Sequence, residues 1–167
     1  ESQKIGAVNT IKITDANKLV GYNSDAHGFQ KSIEPLLKSH HKKALILGTG
    51  GASKAIAYVF KKLDIDYKFV SRNEADNMVT YEMLDAEIMG DYTIIVNCTP
   101  VGTYPAIDNA PVIPYQYLSD KHLLYDLIYN PAETKFLQKG KKHGASIKNG
   151  LEMLELQAEK AWEIWNS

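Results

Sequence analysis

The chain has 167 residues, 44% of them hydrophobic and 23% charged, with 19 basic against 20 acidic side chains. This is one domain's worth of sequence with enough apolar mass for a core, and it excludes a large multidomain assembly. The near-neutral balance argues against a nucleic-acid binder, which needs a basic excess, and no apolar run approaches the length that spans a bilayer. A single cysteine, Cys98, excludes an internal disulfide framework and fits a reducing compartment, so the cytoplasm is the expected location. The chain opens on Glu1-Ser2-Gln3 without an initiator methionine, as a domain cut from a longer protein would. The basic residues are uneven: all are lysine except Arg72.

Along the chain, Ala7 to Ile13 alternates weakly, Asp15-Ala16-Asn17-Lys18 has turn composition and Leu19 to Tyr22 resumes extension, which predicts a β-hairpin. Asn23-Ser24-Asp25 offers caps for a helix carrying Phe29, Ile33, Leu36 and Leu37 at helical spacing, with Pro35 set to kink or shorten it. From Lys42 onward strands and helices alternate. Strands are expected at Ala44–Leu47, Tyr67–Val70, Thr93–Asn97, Leu123–Ile128 and Ala145–Ile147. Helices are expected over 54–63, within 81–89, over 133–142 and from Leu151 to the end, the last with Leu151, Leu154, Ala158, Ala161 and Trp162 on its packing face. Strands that are apolar throughout and separated by helices imply an α/β fold, a three-layer Rossmann-like domain with a mainly parallel sheet, preceded by a hairpin and closed by a C-terminal helix.

The loop after the first of these strands, Gly48-Thr49-Gly50-Gly51-Ala52-Ser53, is an imperfect G-x-G-x-x-G pattern with serine for the third glycine. Its context, a buried-type strand before and a helix after, is the one in which a first glycine turns the chain, a second admits a phosphate to the backbone and the helix start presents free N–H groups to a pyrophosphate. The same loop occurs as a plain tight turn in proteins without a dinucleotide. An NAD site places a carboxylate at the end of the second strand, yet that strand ends Ser71-Arg72-Asn73, with no acid before Glu74. A guanidinium there suits the 2′-phosphate of NADP, which it can hold by paired charge-assisted hydrogen bonds.

With these residues in hand, the whole sequence resembles the carboxy-terminal NADP-binding domain of the shikimate dehydrogenase family. The likeness rests on six motifs in order: Gly6-Ala7-Val8-Asn9-Thr10; Gly21-Tyr22-Asn23-Ser24-Asp25-x-x-Gly28-Phe29; the Gly48 loop; Asn97-Cys98-Thr99-Pro100-Val101-Gly102; Asp126-x-x-Tyr129-x-Pro131-x-x-Thr134-x-Phe136-Leu137; and Asn149-Gly150-Leu151-x-Met153-Leu154-x-x-Gln157-Ala158. That family reduces 3-dehydroshikimate to shikimate with NADPH in aromatic amino-acid biosynthesis. The resemblance implies that Asn9, Asp25, Tyr129 and Gln157 contact the small-molecule substrate, with Asp25 the carboxylate half of a catalytic Lys–Asp dyad. It also implies that Leu127 and Gly150 lie near the nicotinamide, and that Asn97 and Thr99 stand at the strand edge where such a sheet keeps its cofactor. A ketone becoming an alcohol needs a proton donor at its oxygen, and a polyhydroxylated ring needs several hydrogen-bonding groups to fix it. Read alone, without the resemblance, Asp25 is better taken as a helix cap, the commoner use of aspartate at a helix start, and Asn9 as an ordinary strand-edge polar residue.

Two departures from the family pattern stand out. Thr103 follows Gly102 where methionine is common, and no lysine here sits in the dyad motif, which belongs to an amino-terminal substrate domain absent from this sequence. The expected layout is a hairpin and helix bordering the substrate cleft (1–40), the NADP-binding core (41–149) and a C-terminal helix returning toward that missing domain (150–167). On its own the chain is expected to bind NADPH weakly and to lack activity. A quinate/shikimate dehydrogenase using NAD and a non-catalytic dinucleotide-binding module are the alternative readings. Cys98 reads as an inert small residue near the cleft. His40-His41-Lys42-Lys43 and Lys139 to His143 read as solvated connectors without the partners a metal site needs, and Leu151, Met153, Leu154, Trp162 and Trp165 read as a packing stripe.

Overall fold

The computed structural model describes residues 2–73, 75–76 and 78–167; Glu74, the nearest acid after Arg72, lies outside them. A short helix α1 (Ser2–Ile5) precedes strands β1 (Thr10–Ile13) and β2 (Leu19–Tyr22), which pair antiparallel, Thr10 opposite Tyr22. The hairpin is where the alternation predicts it, and Asn17 turns the chain at φ 56°. Helix α2 (Asp25–Ile33) stops two residues before Pro35, which sits at the start of a 3₁₀ turn, Glu34–Leu36. Proline has no N–H for a continuing α-helix, so the truncation follows from its chemistry.

The main sheet is built from β3 (Lys43–Leu47), β4 (Asp66–Ser71), β5 (Met78–Thr80), β6 (Ile94–Asn97), β7 (Leu123–Asp126) and β8 (Ser146–Lys148). Its order is β5-β4-β3-β6-β7-β8 with every pairing parallel. Helices α3 (Gly51–Lys62), α4 (Ala86–Asp91), α5 (Lys135–Lys142) and α6 (Leu151–Asn166) follow β3, precede β6, and follow β7 and β8 respectively. Alternate residues of the central strands feed two separate cores. Ala44, Ile46, Ile94 and Val96 face Phe29, Ile56 and Phe60 on one side, while Leu45, Leu47 and Ile95 face Met89, Phe136 and Leu137 on the other. Both faces of the sheet are thus covered, which is why its strands are apolar without alternation.

Several expectations need correcting. Strand β5 escapes the sequence reading because it is three residues long and carries no apolar run. The helix expected within 81–89 is instead a 3₁₀ turn, Tyr81–Met83, and then α4, started by Asp85, whose carboxylate accepts the Ile88 N–H at 2.9 Å. His41 is not solvated. It is buried, its Nδ1 accepts the Lys38 N–H at 3.0 Å and its Nε2 lies 3.1 Å from the Lys121 carbonyl. The apolar stripe read along α6 does not face the core either, since Leu151, Ala158, Trp162 and Trp165 are exposed. The face laid against α2 carries Met153 and Gln157, whose backbone and Cβ approach Gly28. Trp165 turns back and donates its indole N–H to the Ile11 carbonyl at 2.9 Å.

Candidate functional site

In a sheet of this order the chain departs from β3 toward β4 on one side and β6 toward β7 on the other, so a crevice opens at their carboxyl ends. The Gly48 loop lies in that crevice. Gly48 donates its N–H to the Val70 carbonyl at 2.9 Å, tying the loop to the end of β4, and holds φ +99°, a conformation that side chains with a Cβ rarely adopt. A Cβ there would also sit 3.0 Å from the Thr99 methyl. Gly50 caps α3, whose twelve residues point their first free N–H groups out of the loop. Ser53 is buried and its hydroxyl donates to the Gly50 carbonyl at 2.6 Å, closing the loop from within.

A cleft of about 730 Å³ runs from this loop across the end of β4, lined among others by Gly48, Thr49, Ser71, Arg72, Tyr81 and Thr99. Arg72 is exposed at its mouth, and its positive charge opposes the upward push that burial gives the Tyr81 phenol. Asn73 does not line the cleft; its backbone N–H donates to Ser71 Oγ at 3.3 Å and shapes the turn. A second hollow of about 510 Å³ lies on the other side of Thr99 and Pro100, where Ala52, Cys98, Thr103, Tyr104, Leu127 and Tyr129 meet. Leu127 lines it, and Gly150 packs behind Leu127. A Cβ at Gly150 would stand 2.0 Å from the Leu127 carbonyl oxygen, so that start of α6 is open only to glycine. Burial pushes the Cys98 thiol well up, which keeps it protonated and unreactive.

Between the two hollows stands a buried polar hub. Asp126, at the end of β7, is fully buried; its Oδ1 accepts from Asn97 Nδ2 at 3.0 Å and the Ile128 N–H at 3.1 Å, and its Oδ2 from Thr134 Oγ1 at 2.6 Å. Asn97 Oδ1 in turn accepts from the Thr99 N–H at 3.0 Å and Thr99 Oγ1 at 2.6 Å, while its Nδ2 also reaches the Val101 carbonyl at 3.4 Å. Asn97 was expected at the cofactor; its amide is instead spent inside the protein, and Thr99 is what reaches the surface. Burial pushes the Asp126 carboxyl up to about 6 against the pull of those three donors. The sequence gives Asp126 a place in a motif and no role, because nothing local tells a strand-end aspartate that it will be covered.

The remaining candidates gather at the start of α2. Asn9 Oδ1 accepts the Ser24 N–H at 2.8 Å, which sets its amide beside Asp25. Asp25 is not the helix cap, since it occupies the first helical position and Asn23 Oδ1 accepts the Ala26 N–H at 3.1 Å instead. Burial raises the Asp25 carboxyl above its ordinary value, and the neighbouring Asn9 amide opposes that. Gln157 lies in the seam between α6 and α2, with its Oε1 buried and without a hydrogen-bond partner among the described residues. Tyr129 is half exposed on the wall of the second hollow. Among the described residues no group of three His, Cys, Asp or Glu is placed to hold a metal ion, and no helix is long and apolar enough to cross a membrane.

No family model matches the chain. It is 42% identical over 178 residues to an NADP(+) shikimate dehydrogenase of Clostridium beijerinckii, and 38% identical over 181 residues to one of Methanococcus maripaludis; each alignment covers 99% of this chain. The chain spans only 63% and 64% of those relatives' lengths. Among solved structures, shikimate dehydrogenase 1 from Peptoclostridium difficile superposes with a TM-score of 0.84 at 39% identity, over 99% of this chain and 62% of that one. A shikimate dehydrogenase solved with NADP+ superposes with a TM-score of 0.84 at 34% identity, over 98% and 62%.

Proposed function

Since the chain is homologous to shikimate dehydrogenases from end to end, we propose that it forms the NADP(H)-binding part of such an enzyme, which reduces the ring ketone of 3-dehydroshikimate to the hydroxyl of shikimate. The observation that carries the cofactor reading is Arg72, exposed at the mouth of the cleft at the end of β4, the position at which an NAD site keeps its ribose-binding carboxylate. The cleft fits the group: its floor is the Gly48 loop, where a side chain would meet Thr99, and its far wall, Thr99 and Pro100, is shared with the second hollow.

The N–H groups of residues 49–53 hold the pyrophosphate, and Ser71, Arg72 and the Asn73 turn hold the 2′-phosphate. Thr99, Leu127 and Gly150 shape the end where the nicotinamide lies. NADPH bound there supplies the hydride. Asn9, Asp25, Tyr129 and Gln157 fix the substrate ring, and Gln157 Oε1 gains the donor it lacks from a ring hydroxyl. Asp25 holds a proton more readily than an exposed aspartate does, which suits exchange with the ring oxygen in concert with a lysine supplied by the part of the relatives' length outside this chain. In this reading residues 1–40 and 150–167 border the substrate, residues 41–149 carry the cofactor, and the setting is the cytoplasm.

Titration of the chain with NADPH and with NADH tests it. NADPH binds the more tightly, and Arg72→Ala weakens NADPH by about tenfold or more while leaving NADH unchanged. Equal losses for both would remove Arg72 from the 2′-phosphate. The chain alone is expected to turn over no shikimate, and turnover by these 167 residues would overturn the assignment of the dyad lysine to the rest of the protein.

A further inference from the structure

We propose that Asp126 is the positioning residue of the cofactor site, setting the wall around the nicotinamide end from both sides without touching the cofactor itself. The inference rests on the NADP reading. Two lines of contact leave the one carboxylate. Through Oδ1 and the Asn97 amide it fixes the Thr99 backbone and hydroxyl, and Thr99 is the residue shared by the cleft and the second hollow, its methyl packed where Gly48 has no side chain. Through the same oxygen and the Ile128 N–H it fixes the turn that carries Leu127, whose carbonyl abuts Gly150. Oδ2 is taken by Thr134, the cap of α5, so the carboxylate is held to a third element and cannot turn away from the other two. Asn97 has no spare hydrogen-bonding atom and Asp126 no exposed surface, so neither is available to a ligand directly. Within the cleft the network holds Thr99 and Val101 and makes no hydrogen bond to Ser71 or Arg72 at the adenosine end.

That asymmetry gives a test. NADPH and adenosine 2′,5′-bisphosphate, which has the phosphorylated adenosine and no nicotinamide, are titrated against the wild-type chain and its variants. Asp126→Ala weakens NADPH by about tenfold or more and leaves the bisphosphate within about twofold. Asp126→Asn recovers most of the NADPH loss, because its oxygen can still receive Asn97 and Ile128 while its NH₂ donates to Thr134. Asn97→Ala shows the same selective loss, and the Asp126→Ala/Asn97→Ala pair loses less than the sum of its parts, as expected if one acts through the other. Should Asp126→Ala fail to fold, Asn97→Ala carries the same comparison. Equal weakening of both ligands, no weakening of NADPH, or additive losses would overturn the proposal. A wild-type chain that binds neither ligand would instead strike the cofactor reading on which it depends.

Discussion

The two edges of the six-stranded sheet use polar residues in opposite ways. At the amino edge, histidines close the structure on itself. Lys38 donates to His41 Nδ1 and Ser119 to His122 Nδ1, so each ring carries its proton on Nε2 and gives it to a carbonyl, of Lys121 at 3.1 Å and of Met89 at 2.7 Å. Every ring nitrogen is used and nothing is offered outward. At the carboxyl edge, Asp126, Asn97 and Ser53 are just as fully satisfied, but they stand behind loops whose own N–H groups and side chains face open clefts. A sheet edge becomes a site when buried polar groups are spent on holding backbone in place rather than on covering it.

Single substitutions should tell the two ends of the sheet apart. The largest effect is expected at Gly150, where an alanine Cβ would collide with the Leu127 carbonyl oxygen 2.0 Å away. Because the obstacle is backbone, Gly150→Ala should cost about 3 kcal/mol in urea unfolding and shift the start of α6. Next is the pH response of the carboxyl edge. Asp126 titrates at about 6 in the fold against 3.8 ordinarily, so the native state holds its proton the more tightly. Its contribution is complete below pH 3.8 and is lost as pH rises through about 6, so Asp126→Asn should gain on the wild type between pH 4 and pH 8 by on the order of 2 kcal/mol.

The amino edge has the opposite sign. Burial, the main cause, lowers the His41 pKa; His40, Lys38 and His122 add to that, and the Lys121 carbonyl opposes it. The contribution of His41 is therefore present above pH 6.5 and lost as pH falls below it. His41→Ala should cost about 1 kcal/mol at pH 8 through its lost hydrogen bonds and flatten the acid side of the stability profile. The smallest effect belongs to the surface. Lys43 and Asp91 pair at 2.7 Å while both side chains remain exposed, and Lys43→Ala should leave the urea unfolding midpoint indistinguishable from the wild type's.

What was legible in the sequence follows the same division. The doubly covered strands announce themselves as unbroken apolar runs, and the glycine loop between β3 and α3 is readable because a positive φ and a helix start each demand particular residues. Position along the chain alone also puts Arg72 at the end of β4. Features decided by what comes from elsewhere were not legible. His41 looks like part of a charged connector until Lys121, 80 residues away, is brought against it. The α6 face was misread because hydrophobicity favours Trp162 and Trp165, whereas α2 is met by the flank holding Met153 and Gln157. Asp126 acquires its role only when Asn97 and Thr134 close over it.

Both tryptophans lie on the last turns of α6, exposed, one of them tied to the hairpin through Ile11. Intrinsic fluorescence excited at tryptophan therefore watches the junction of α6 with β1 and is blind to the interior of the sheet. Its emission should already be that of wet indole in the native protein. A denaturation curve followed by tryptophan emission that precedes the one followed by far-ultraviolet ellipticity would separate detachment of that junction from melting of the parallel strands.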